Sequence, residues 1–149
     1  MKSIFEPTTR AEVVKRIDAL TSNNKALWGK MTVAQMVRHC SICEEYYFGN
    51  IEIKRSFIGR IFGQKAIRSI LKDENSMLQK NAPTSSPFLV KENLTDLESE
   101  KIKWKALTER YSNFQSTEFT HWFFGKLTKE QLGQFIYKHT DHHLRQFGV

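Results

Sequence analysis

Four times along the chain, a threonine is followed three residues later by Glu or Gln. The pairs are Thr9 with Glu12, Thr32 with Gln35, Thr95 with Glu98, and Thr128 with Gln131. This is the capping box, in which the hydroxyl takes a free backbone N–H at a helix start and the longer side chain reaches back to the cap. Each copy precedes apolar residues at helical spacing, so the pattern predicts four helices. They run over about residues 9–20, 33–47, 96–111 and 129–146. A long connection, about residues 49–94, separates the second from the third. Its middle, "RIFGQKAIRSILK", predicts a shorter helix, and Pro83 and Pro87 make "NAPTSSPF" a loop. Strand alternation and internal repeats are absent. The expected fold is all-α: one domain over residues 1–149, a four-helix bundle with a long crossover connection between helices two and three.

The composition suits one packed core. Of 149 residues, 40% are apolar and 12% aromatic, which excludes a disordered chain. No apolar run reaches the length of a membrane span, and "MKSIFEPTTR" lacks the apolar region of a signal peptide, so a cytoplasmic protein is expected. The net charge of +7 permits an anionic partner without choosing one, and a solvated basic surface is the simplest reading. Residues 54–72 hold six Lys or Arg and no acid, interleaved with Phe57, Ile58, Ile61, Phe62, Ile67, Ile70 and Leu71. This segment is expected first to pack across the helices as the crossover, and next to wall a pocket for an anionic substrate. Contact with lipid or nucleic acid is the least expected role, because no nucleic-acid motif accompanies it. Cys40 and Cys43 form a CxxC, but they sit inside a helical apolar pattern with no second pair, and so read as small buried apolar residues.

The chemistry lies in the last helix, "KEQLGQFIYKHTDHHLRQ". With Leu132 at zero on a helical wheel, Phe135 and Ile136 fall at about −60° and +40°, His139 at about −20° and His143 at about +20°. His139 and His143 therefore point inward one turn apart, the spacing by which a helix presents two imidazoles to one divalent metal. His142 falls at about −80°, on the flank, and Gln146 at about −40°, nearer the inward face than Asp141 or Arg145. A catalytic metal usually has three protein ligands. The periodicity leaves His39, His121 and a carboxylate such as Glu44 all open as the third.

The stretches "LWGKMTVAQMVRHC" and "FFGKLTKEQLGQFIYKHTDHHLRQFG" resemble a bacterial family of unknown function within the DinB/YfiT-like superfamily. The resemblance covers about residues 27–149 and is most specific in "KHTDHHLRQFG". It implies a four-helix bundle holding a divalent metal with one histidine from the second helix and two from an H-x-x-x-H in the last. Position by position these are His39, His139 and His143. His142, Gln146, Asp141, Arg145 and His121 stand as candidates for supporting or substrate contacts. Zn²⁺ and Ni²⁺ are the metals expected. Relatives in the superfamily imply a metal-dependent thiol S-transferase or hydrolase, with a low-molecular-weight thiol such as bacillithiol as co-substrate. The alternative is a metal or small-ligand binder without turnover. The expected partner is a small-molecule substrate, with room for a homodimer and none expected for nucleic acid.

Overall fold

A computed structural model describes residues 1–149. It contains five α-helices: α1 (Pro7–Asp18), α2 (Val33–Tyr47), α3 (Phe57–Ile70), α4 (Leu97–Glu109) and α5 (Lys129–Gln146). Between α4 and α5 lies an antiparallel hairpin, β1 (Glu118–His121) with β2 (Gly125–Thr128), paired from Glu118 opposite Thr128 to His121 opposite Gly125. About 53% of the chain is helical and 5% is strand.

This corrects the expected all-α four-helix bundle. The connection between the second and third expected helices carries a full helix of its own, α3, and the approach to the last helix is a small sheet. The hairpin escapes a search for alternation because each strand has only four residues, and only β2 alternates cleanly between buried and exposed. Gly125, at φ +85°, closes the three-residue turn in the left-handed conformation that glycine adopts without steric penalty. Thr128 ends β2 and caps α5 at once.

Two of the four capping boxes form, at Thr32 with Gln35 and at Thr128 with Gln131, and these start α2 and α5 where the sequence placed them. The other two do not. α1 starts earlier, at Pro7, whose fixed φ suits a first helical position, and Thr9 turns its hydroxyl to Glu6 Oε2 at 2.9 Å. α4 starts at Leu97, one residue later than a Thr95 cap would place it, because Asp96 takes the N–H of Ser99 at 2.9 Å. A carboxylate there also meets the positive end of the helix dipole.

Ile4, Val13, Ile17, Met36, Val37, Trp104, Leu132, Ile136 and Leu144 are all fully buried and lie in one core cluster. α2 packs along α4, α1 lies against α4 and α5, and the hairpin rests on α5 and α3. α2 and α5 are not a closely packed pair. Side chains fill the space between them, and the histidines are among those side chains.

Candidate metal centre

His39 stands on α2, and His139 and His143 stand one turn apart on α5. Their rings converge. The centroids are 5.4 Å apart for His39 and His139, 4.9 Å for His39 and His143, and 4.7 Å for His139 and His143. A metal about 2.1 Å from three imidazole nitrogens in tetrahedral geometry holds the ring centroids about 5 Å apart. The rings have that spacing, but the ligand atoms that lie within 4.8 Å of one another belong to His39, Cys43 and His139 and do not include those of His143.

The hydrogen bonds determine which nitrogens are available. His39 Nδ1 lies 2.9 Å from the carbonyl oxygen of Phe88. A carbonyl only accepts, so Nδ1 carries the proton and Nε2 keeps its lone pair. The same logic fixes His143 through one further residue. Gln146 donates Nε2 to the carbonyl of Trp28 at 2.7 Å, which sets its amide orientation and turns Oε1 to His143 Nδ1 at 2.9 Å. Nδ1 of His143 is therefore also the protonated nitrogen, and Nε2 is free. Metal-ligating histidines are typically held by such a bond on the second ring nitrogen.

Electrostatics keeps all three rings neutral. Burial lowers the pKa of His39 and, assisted by the neighbouring His39 ring, takes His143 down to about 3. Burial, then His143, then His39, lower His139 well below its ordinary value. Neutral imidazole is the form that ligates. His39 and His143 are buried, whereas His139 keeps intermediate exposure and is the most accessible of the three.

Cys43, one turn after His39 on α2, also belongs to the cluster. Its Sγ is 3.8 Å from His39 Nε2, and His39, Cys43 and His139 offer ligand atoms within 4.8 Å of one another, a group that could hold a metal ion. Cys40 and Cys43 are both buried in the core, as the sequence suggests. The informative pattern was H-x-x-x-C, which puts an imidazole and a sulfur on one helix face. Burial and, second, Glu44 push the Cys43 thiol well up, so it stays protonated next to His39. The Phe88 and Trp28 carbonyls had no sequence signal, since any residue carries one.

The remaining candidates lie elsewhere. Glu44 turns to the 3-10 turn that follows α4, where the Tyr111 hydroxyl donates to Oε2, and burial raises its pKa to about 7. That orientation removes it from the ligand set. His121 ends β1 with Nδ1 accepting from the N–H groups of Phe123 and Phe124 at 3.1 and 3.2 Å, and burial takes it down to about 3. It organises the hairpin turn. Asp141 ties α5 to α1 through Arg16 at 2.7 Å and pairs with Arg145 at 2.8 Å, away from the rings. His142 packs its ring 5.4 Å from Trp28 and 5.3 Å from His143, with Nδ1 buried and unpartnered.

A family model described as "Protein of unknown function (DUF1569)" matches residues 5–148. No curated protein and no solved structure matches the chain. The chain belongs to the DUF1569 family.

Proposed function

We propose that this DUF1569 chain is a divalent-metal protein of the DinB/YfiT-like superfamily, with His39, His139 and His143 as ligands through Nε2. The observation that carries the reading is the pair of outward hydrogen bonds. Phe88 O and Gln146 Oε1 each take one Nδ1 proton and leave the Nε2 lone pairs unprotonated, that of His39 met only by the weak Cys43 S–H donor at 3.8 Å. Three neutral imidazoles packed together are poorly served by one another, and a cation would satisfy their unprotonated nitrogens. Zn²⁺ and Ni²⁺ suit imidazole ligands.

A divalent cation held by neutral ligands keeps its charge, and would acidify a water or thiol beside it to supply a nucleophile at neutral pH. The chain's own residues orient the rings, through Phe88 and Gln146. This favours a metal-dependent enzyme that directs a water or a low-molecular-weight thiol such as bacillithiol at a small electrophile. A binder without turnover shares every ligand and differs only in lacking a reaction.

The test is metal content. Untagged protein, reloaded with Zn²⁺ or Ni²⁺ and desalted, should retain one equivalent by mass spectrometry, and His139→Ala and His143→Ala should retain little. Absence of stoichiometric metal in the unaltered protein would overturn the reading. With metal in place, a thiol-transfer screen separates enzyme from binder.

A further inference from the structure

Helix α3 is amphipathic in the reverse sense to an ordinary surface helix. Its inward side consists mainly of Gly59, Gly63, Ala66 and Ile67. The two glycines, one turn apart, lie so close to the hairpin turn that a Cβ on either would overlap the Phe123 carbonyl oxygen. Ser56 donates its N–H to Trp122 O at 3.0 Å, Arg55 Nη1 reaches His121 O at 2.5 Å, and Gln64 Nε2 bonds Phe124 O at 2.8 Å and Lys126 O at 3.0 Å. The first half of the helix is therefore fixed by backbone contact and hydrogen bonds, and only its last turns bury apolar side chains, Ile67 fully and Ala66 and Ile70 in part.

The large apolar residues face the other way. Phe57, Ile58, Ile61 and Phe62 are 76, 61, 60 and 57% exposed. Their spacing puts them side by side on one face, unlike the single exposed apolar residues of any protein surface. The same face continues, a turn further on, with exposed Lys65, Arg68 and Lys72, while exposed Lys54 and Arg60 flank the apolar group. No acid occurs from Lys54 to Lys72.

We propose that the outward face of α3 docks on an anionic lipid bilayer. Phe57, Ile58, Ile61 and Phe62 enter the boundary between headgroups and acyl chains, and the cations meet lipid phosphates. Charge complementarity selects this occupant. A bilayer surface presents an apolar layer and a negative layer in one plane, which matches aromatic and aliphatic residues ringed by Lys and Arg. A second copy of the chain would set this all-basic segment against itself. With 14 residues, α3 lies on the membrane and does not cross it. Because the hairpin already holds the helix, docking requires no folding step.

The full chain should co-sediment with vesicles containing phosphatidylglycerol, and should not with pure phosphatidylcholine vesicles. Added salt should weaken binding. Each cation removed should lower partitioning about fivefold, so Lys65→Gln with Arg68→Gln should lower it about 25-fold. Phe57→Ser with Phe62→Ser should abolish binding at unchanged charge. All four side chains are exposed, and circular dichroism checks that the variants stay folded. Equal binding to both vesicle types, or no binding to the anionic ones, overturns the proposal. So does a dimer, seen by light scattering, that the Phe57→Ser, Phe62→Ser variant dissociates, because that assigns the face to a second copy.

Discussion

Gln146 and His143 sit three residues apart on α5, and the ring donates Nδ1–H to the amide oxygen at 2.9 Å. The amide can accept because its nitrogen is committed to Trp28 O, 118 positions earlier in the chain. The orientation of one proposed ligand is thus set from a loop far away in the chain.

Gln146→Ala should therefore weaken metal binding without removing a ligand. Loss of such an outer partner typically costs 10- to 100-fold in affinity. A chelator competition titration measures it, and an unchanged affinity would show that His143 needs no holding. Gln146→Glu removes the donor to Trp28 O and sets a carboxylate oxygen against that carbonyl, so it should also weaken binding although it can still accept from Nδ1.

Gly29→Ala should act on the same bond from the far side. Gly29 sits at φ +83°, and a Cβ there would lie 2.6 Å from Gln146 Nε2. The left-handed backbone alone costs a side-chain-bearing residue about 1–3 kcal/mol. Thermal unfolding should show the loss, and metal affinity should fall with it although residue 29 is no ligand.

Glu44 and the histidines should pull the pH dependence of the metal-free protein in opposite directions. The folded pKa of Glu44, about 7, lies above its ordinary 4.5, so the native state binds the extra proton between those values. Stability from this group falls as pH rises from 4.5 to 7, by about 3 kcal/mol, and is flat above. His121 and His143, at about 3 against an ordinary 6.5, do the reverse. Their native forms bind fewer protons, so stability is lost as pH falls below 6.5. Denaturant melts of Glu44→Gln against the unaltered protein isolate the first effect: the variant should gain relative stability from pH 4.5 to 7. A constant difference would show that Glu44 titrates normally.

Cys43→Ser should leave metal affinity within a few fold. That outcome is expected if the three imidazoles are the ligands, since Cys43 then only borders the ion; its Sγ lies within 4.8 Å of ligand atoms of His39 and His139, so the variant decides between the two ligand sets. Cobalt-loaded protein should lack the charge-transfer absorption of a cobalt–thiolate bond. That band, if present and lost in Cys43→Ser, would place sulfur among the ligands in place of one imidazole.

The helices α2 and α5 were legible because their signals are local: a capping box that closes within four residues and an apolar stripe with period 3.6. Local signals also misplaced the starts of α1 and α4, where Pro7 and Asp96 compete with the neighbouring threonines. The inward turn of His139 and His143 followed from spacing, since helix phase is nearly rigid. What holds those rings did not follow, because Phe88 and Trp28 act through main-chain carbonyls that every residue carries. The exposure of Phe57 and Phe62 was also hidden. An amphipathic pattern tells that a helix has an apolar face, and it took the glycines packed on Phe123 to show that this face is turned away from the protein.

The gap between α2 and α5 is bridged by His39, His139 and His143 and not by close backbone packing. A cation bound there would join residues 39 and 139, stapling shut a loop of about 100 residues. A covalent cross-link over that span restricts the unfolded chain by about 5 kcal/mol in the chain-entropy model. Cys40 and Cys43 are free thiols in the same region of α2. A metal at the histidines would give the fold a reversible staple that opens with chelation, whatever chemistry the ion performs.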